Sequence, residues 1–226
     1  MQKIALLEYV LFAVYLVLFA WLVTKVGFFI RSGLSSSQLI IFFLLKVLAG
    51  IFYGWIGVYY GELAQMVDTW AYHYESLNEY HLLINDPSVF FLNLLGTTYE
   101  SGYAGFFASQ DSWWNDLKGN ALLKLLAIFN VFSLGNYYVN VIFYSFLTLF
   151  GPIAFYRIMK EIYPSRQLAV LLATFLVPSF LYWTSGIHKD GVIFLGLAIV
   201  LYHFYFAVQE KKLLWYRPVF ILLGLL

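Results

Sequence analysis

The stretch Gln38 to Tyr60, QLIIFFLLKVLAGIFYGWIGVYY, decides the fold because it holds a single charged side chain, Lys46. An apolar run of about 18 residues or more can cross a bilayer as a helix. The same pattern predicts further spans at 4–30, 137–156, 167–186 and 190–208, with a sixth beginning at 218. The chain is 62% hydrophobic and 11% charged, whereas soluble domains carry about 25% charged residues. We therefore expect an all-α fold, a polytopic integral membrane helix bundle.

Residues 1–226 are predicted to form one transmembrane domain. The apolar run from Val219 to Leu226 is too short to cross a bilayer, so we expect the domain to be incomplete at its C-terminus. Cysteine is absent, which excludes disulfides and cysteine-ligated metals. The net charge is +1 and no basic cluster is interleaved with aromatic residues, so no nucleic acid is expected as a partner.

Residues 121–134 are apolar at helical spacing but too short to span, which predicts an interfacial helix lying in the membrane surface. If that helix does not cross the membrane, eight basic residues lie on the same side of it: Lys25, Arg31, Arg157, Lys160, Arg166, Lys211, Lys212 and Arg217. The positive-inside rule puts this side in the cytoplasm. The N-terminus and a 61–136 loop with short interfacial helices are then expected outside, on a bacterial cytoplasmic (inner) membrane.

The negative charge of the chain is concentrated between residues 61 and 118. Eight of its twelve carboxylates lie there: Glu62, Asp68, Glu75, Glu79, Asp86, Glu100, Asp111 and Asp116, against one basic residue, Lys118. If the segment is helical, one face carries Asp68, Tyr72, Glu75 and Glu79. Such a face could bind a cation or deprotonate a hydroxyl. It equally fits the solvated face of an amphipathic helix, with Trp70 and His73 turned elsewhere.

A second polar group lies in the turn that ends the 167–186 span. Pro178 removes a helix hydrogen bond and is expected to bend that span. His188, Lys189 and Asp190 follow, and Asp190 is placed to cap the next helix. Free N–H groups at that helix start, together with Lys189, would suit a phosphate. In the predicted topology this turn and Asp68 share one membrane face.

Other polar residues carry weaker signals. The four histidines share no zinc-ligand spacing, and a divalent cation, if one is bound, would be held by Asp68 and Asp190. Lys46 lies about 10 Å into its helix, and we expect it to extend back to the membrane surface in a structural role.

Taken together, these residues resemble the GT-C type of membrane glycosyltransferase, which uses polyprenyl-phosphate-linked sugars. In that family an external loop after an apolar helix bears an Asp, commonly with a Tyr four positions on, as Asp68 and Tyr72 stand here. A later external loop carries charged residues, which here are His188, Lys189 and Asp190. The string from Pro178 to Gly191 is also similar to one in uncharacterised bacterial membrane proteins of polysaccharide-polymerase type.

The resemblance implies transfer of a sugar from a lipid-linked donor to an acceptor on the external face. Asp68, Tyr72 and Lys189 would be catalytic, with Asp68 as the base and Lys189 at the departing phosphate. Trp70, His73, His188 and Asp190 would bind substrate. Two alternatives remain open at this point: a transporter, and a non-catalytic assembly partner in cell-envelope polysaccharide export.

Overall fold

The computed structural model describes residues 2–64, 68–93, 105, 112–211 and 214–225, and these residues are almost entirely helical. A single bridge between Gly105 and Ser112 is the one β-type pairing among them. The helices are α1 Gln2–Leu22, α2 Gly27–Ile30, α3 Ser36–Ala64, α4 Asp68–Asn85, α5 Pro87–Leu92, α6 Trp113–Ser133, α7 Tyr137–Ile162, α8 Gln167–Phe175, α9 Pro178–Ser185, α10 Lys189–Glu210 and α11 Tyr216–Leu225, with a 3₁₀ turn at Pro164–Arg166.

Three of these helical stretches are long and apolar enough to cross a membrane: Ser36–Tyr60, Tyr137–Ile162 and Lys189–Glu210. A fourth crossing results if the bent pair Pro164–Phe175 and Pro178–Ser185 counts as one broken span. The predicted helices at 38–60, 137–156 and 190–208 therefore have counterparts in the structure.

The helix predicted over 4–30 is shorter in the structure, because α1 ends at Leu22. The carbonyl of Trp21 accepts hydrogen bonds from both the backbone N–H of Thr24, at 3.0 Å, and its hydroxyl, at 2.7 Å. The chain then turns, and α2 follows as a separate short helix at Gly27–Ile30.

Helix α7 is the centre of the bundle, with most of its side chains buried. Helix α1 runs parallel to it, with the rings of Tyr15 and Phe143 at 4.9 Å. Helix α3 runs antiparallel, and the backbone at Gly54 lies against the ring of Tyr137. Helix α10 runs parallel again, with Gly151 of α7 beside the backbone of Leu195. We call the end where α7 begins, at Tyr137, the polar end, and the end where it stops, at Ile162, the basic end.

Helices α4 and α6 form an antiparallel pair at the polar end. Lys124 of α6 binds Glu79 of α4 at 2.7 Å, and the amide of Asn130 donates to the hydroxyl of Ser76 at 2.9 Å. Helix α6 begins at Trp113 and not at 121, so it is longer than the interfacial helix predicted there. The side chains of Lys124 and Asn130 are buried against α4 rather than exposed, a pairing that helical spacing alone does not reveal.

The predicted bend at Pro178 is present, with an angle of 50° between α8 and α9. The chain leaves helical geometry at Leu176 and Val177, and Pro178 occupies the first turn of α9, where its missing N–H costs nothing. After Ser185 the chain turns back and α10 begins beside Tyr144. Tyr144 is seven residues into α7, so α10 starts about 10 Å below the start of α7.

Candidate active site

Two polar segments that are far apart in sequence meet at the polar end. Asp68 is the first residue of α4, and His188 immediately precedes α10. The Nε2 atom of His188 lies 3.6 Å from Oδ2 of Asp68. The Nδ1 atom lies 3.3 Å from Oδ2 of Asp190. The imidazole of His188 is therefore flanked by one carboxylate at each ring nitrogen.

The three side chains differ strongly in exposure. The side chain of His188 is 10% exposed, that of Asp190 is 43% and that of Asp68 is 64%. His188 is consequently the buried residue of the three, whereas the carboxylate of Asp68 is open to solvent or to a bound ligand. A ligand would meet Asp68 first and His188 through it.

The cap of α10 is His188, which corrects the sequence expectation for Asp190. Asp190 lies inside the first turn of the helix, and its backbone N–H faces Nδ1 of His188 at 3.4 Å. The carbonyl of His188 in turn accepts a hydrogen bond from the hydroxyl of the buried Tyr144. The ring of His188 is thus fixed by its backbone as well as by its two carboxylate neighbours.

The two contacts at Nδ1 of His188 require different protonation states. The backbone N–H of Asp190 needs an unprotonated Nδ1, which in a neutral ring leaves the proton on Nε2, facing Asp68. A protonated ring instead directs one N–H at each carboxylate. In either state His188 directs an N–H group from Nε2 towards the carboxylate of Asp68.

Tyr72 completes the group on the α4 side. Its ring meets that of His188 edge-on, with centroids 5.9 Å apart. Burial raises the pKa of the Tyr72 phenol, and the negative charges of Asp68, Glu75 and Asp190 raise it further. The phenol consequently stays protonated at neutral pH and can act as a hydrogen-bond donor beside Asp68.

The remaining predicted site residues are placed differently. Lys189 is exposed, and no ion pair joins it to the carboxylates of the described residues. The ring of Trp70 stacks on Tyr137 at 4.1 Å, and its indole N–H donates to the carbonyl of Gly54. His73 is buried against the same two aromatic rings, and burial lowers the pKa of its imidazole to about 4. Trp70 and His73 therefore attach α4 to the bundle.

The acidic face predicted on α4 divides between two roles. Asp68 and Tyr72 belong to the site, whereas Glu79 is held by Lys124 and Glu75 is exposed. The buried face of the helix carries Thr69, His73 and Ser76. The side chains of Glu62, Glu100, Asp111, Asp116 and Lys118 lie outside the described residues.

Among the residues that the structure describes, no group of three or more His, Asp or Glu side chains is arranged to hold a metal ion. Asp68 and Asp190 are the residues expected from the sequence to hold a divalent cation if one is bound. They lie at opposite nitrogens of the His188 ring.

Three buried residues near the site were not among the site residues predicted from the sequence. Tyr144 holds the His188 carbonyl, and Tyr53 packs directly against the backbone of Gly186. Lys46 is 2% exposed and donates to the carbonyl of Thr184, with the hydroxyls of Thr184 and Ser185 at 3.4 Å. The expectation that Lys46 extends to the membrane surface is therefore wrong. The one indication in the sequence was that Lys46 is the single charged residue between Gln38 and Tyr60.

No family model, no curated protein and no solved structure matches this chain. Function is therefore inferred from the side chains of the site.

Proposed function

We propose that this chain is an integral membrane glycosyltransferase of GT-C type, acting at the external face of a bacterial cytoplasmic membrane with its N-terminus outside. The observation that carries the proposal is the meeting of Asp68 with the His188–Asp190 turn across 120 residues of sequence. An exposed carboxylate supported from behind by a buried imidazole is a general base with its orienting partner.

In the proposed reaction Asp68 takes the proton of an acceptor hydroxyl. The acceptor oxygen forms a bond to the anomeric carbon of the sugar, and the bond from that carbon to the lipid phosphate oxygen breaks. His188 stabilises Asp68 in the reactive ionised state, and the phenol of Tyr72 donates a hydrogen bond to the sugar or the acceptor. The departing phosphate gains negative charge, which Lys189 and the free N–H groups at the start of α10 offset.

The partners in this proposal are a polyprenyl-phosphate-type sugar donor and the surrounding membrane lipids. The group at His188 does not need a divalent cation in the proposed step, because the proton acceptor and the cationic groups are side chains of the protein. Addition of a chelator is therefore expected to leave transfer unchanged.

The first test is the substitution Asp68→Asn, assayed for sugar transfer with purified protein and a pool of polyprenyl-phosphate sugars. The change keeps size and hydrogen-bonding capacity but removes the base, so we expect turnover to fall about 10²- to 10⁴-fold. His188→Gln should lower turnover more than Lys189→Ala, because the ring is buried at the centre of the group while Lys189 is exposed.

Asp86→Asn is the matched control. Asp86 is an exposed acid of the same segment that caps α5, and asparagine caps helices about as well as aspartate. It should retain wild-type transfer. Wild-type turnover in Asp68→Asn would exclude Asp68 as the base and overturn the mechanism.

A transporter is the second candidate, and Lys46 is the observation that favours it. Lys46 lies near the middle of the apolar stretch Ser36–Tyr60 and faces the bundle interior beside the bent pair α8–α9. Buried ionisable residues next to broken helices are typical of ion and substrate pathways. Transfer and transport should respond differently to substitution, so proton flux is measured in liposomes that contain each variant. Loss of this flux in Lys46→Met together with its retention in Asp68→Asn would favour transport.

A further inference from the structure

The basic end of the bundle has an excess of positive charge that the proposed reaction does not use. Among the described residues this end carries seven basic side chains and two carboxylates. The basic residues are Lys25, Arg31, Arg157, Lys160, Arg166, Lys211 and Arg217, and the acids are Glu161 and Glu210. Most of these side chains are exposed, but Arg157 and Lys160 are half-buried and Arg217 is buried.

Arg157 is fixed between two aromatic rings. Its guanidinium carbon lies 5.1 Å from the ring centroid of Phe28 and 4.8 Å from that of Tyr202. The two rings contact each other edge-on at 5.4 Å. Cation–π contacts of this kind hold a guanidinium in place without consuming its N–H donors. Among the described residues, no carboxylate forms an ion pair with Arg157.

Arg31 belongs to the same neighbourhood. Arg31 follows Phe28 by three residues at the end of α2, so it is close to the ring that contacts Arg157. Arg217 is buried and pairs with Glu210 at 2.6 Å, so its charge is offset locally. Arg31 is exposed at the end of α2 and has no such carboxylate among the described residues. Arg31 and Arg157 are therefore two positive charges on neighbouring elements, and neither forms an ion pair with a carboxylate of the described residues.

We infer that Arg31 and Arg157 form a binding site for the phosphate group of an anionic membrane phospholipid. A guanidinium presents N–H donors in a fork that matches phosphate oxygens, and two such groups on adjacent elements can share one phosphate. Basic pockets between membrane helices on the cytoplasmic side bind anionic head groups by this chemistry. The site depends on the proposed membrane location but not on sugar transfer.

The apolar surface along the same helices selects a lipid over free phosphate. A cavity of about 460 Å³ lies between the basic-end halves of α7 and α10. Its lining residues are Phe155, Ile158, Leu201, Phe204, Tyr205, Val208 and Gln209. Ile158 directly follows Arg157 and Leu201 directly precedes Tyr202, so the apolar cavity lies at the same depth along α7 and α10 as the Arg157 site. An acyl chain fits such a surface, whereas inorganic phosphate gains nothing from it.

The test is native mass spectrometry of the purified full chain with phosphatidylglycerol and with phosphatidylcholine of the same acyl chains. Arg157→Gln should bind phosphatidylglycerol about fivefold more weakly, the loss expected for one basic contact at a membrane surface. Binding of phosphatidylcholine should not change. Arg157→Lys should lose part of the affinity, because it keeps the charge but not the planar fork.

Arg166→Gln is the matched control, since Arg166 is exposed at the same end in the 3₁₀ turn. It should bind phosphatidylglycerol within twofold of wild type. Equal losses in the two glutamine variants would mean a diffuse attraction to the surface and would overturn the proposal. Abolition of the difference by excess inorganic phosphate would identify a free-phosphate site and overturn the choice of lipid.

Arg31→Gln keeps the proposal testable if Arg157→Gln does not fold, because Arg31 is exposed. It should also weaken binding of phosphatidylglycerol about fivefold. Unchanged affinity in this variant would remove Arg31 from the site.

Discussion

At the scale of single residues, the decisive property is which polar side chains are buried. Asp68 and His73 lie within two turns of the same helix, yet Asp68 is largely exposed and His73 is 4% exposed. The sequence identified Asp68, Tyr72 and His188 as chemically interesting, and the structure brings these three together. It assigned a catalytic role to Lys189 and only substrate binding to His188, because residue order does not reveal which neighbour in a turn points inward.

The burial of His73 predicts a specific pH dependence of stability. Its pKa is about 4 in the folded protein and about 6.5 when unfolded, so the unfolded chain binds the proton more tightly. This contribution to stability is complete above pH 6.5 and is lost as the pH falls through 4, a loss on the order of 3 kcal/mol. The free energy of unfolding in detergent, measured from pH 7 to pH 4, should therefore fall less steeply in His73→Phe than in wild type.

His81→Phe provides the comparison, since His81 is an exposed histidine on the same helix. It should keep the wild-type slope. If His73→Phe also keeps that slope, His73 is not the buried neutral group described here.

At the scale of elements, hydrophobic periodicity predicted helices well and their partners poorly. The bend at Pro178 followed from proline chemistry, whereas the burial of Lys124 and Asn130 between α4 and α6 did not. Those side chains are polar residues at positions where an isolated helix would expose them to water or headgroups. Tertiary pairing decides their environment, and one sequence contains no direct record of it.

The contact between α3 and α9 gives a prediction at this scale. A Cβ atom at Gly50 would lie 2.6 Å from the carbonyl oxygen of Ser185 and 2.6 Å from the side chain of Val141. Gly50→Ala should therefore force the helices apart and lower the free energy of unfolding by about 1–3 kcal/mol. Because Ser185 precedes the His188 turn, we also expect activity to fall.

Gly119→Ala is the control for this measurement, because a Cβ atom at Gly119 meets nothing within 4 Å. It should be neutral or stabilising by up to about 1 kcal/mol, since alanine is the better helix former. Equal effects of the two substitutions would argue against close packing of α3 on α9.

At the scale of the whole molecule, the sequence predicted an all-helical architecture and the structure agrees, with three or four helices able to cross a membrane. The first helix, predicted to end at residue 30, ends at Leu22. The helix ends in a turn in which the N–H groups of Thr24 and Lys25 bond to the carbonyls of Trp21 and Leu22, and hydropathy averaged over a long window does not detect such a turn. The distribution of basic residues is the basis for placing the basic end of the bundle in the cytoplasm, and this orientation remains a prediction.

Single-cysteine labelling tests the proposed orientation, because residues 1–226 contain no cysteine. Asn85→Cys at the end of α4 and Ser165→Cys in the 3₁₀ turn are both exposed positions. A membrane-impermeant maleimide should label position 85 in intact cells and position 165 only after permeabilisation. Labelling of position 165 in intact cells would reverse the orientation and move the Asp68 site to the cytoplasmic face.

The close approach of backbones around the His188 turn also indicates how remote relatives of this chain could be recognised. Gly50 and Gly54 form a Gly-x-x-x-Gly spacing on α3, and Gly186 lies directly against the ring of Tyr53. Side chains at these three positions have no room, whereas most lipid-facing residues can exchange freely among apolar types. A divergent homologue should therefore retain these glycines together with His188, even where overall sequence identity has fallen below detection.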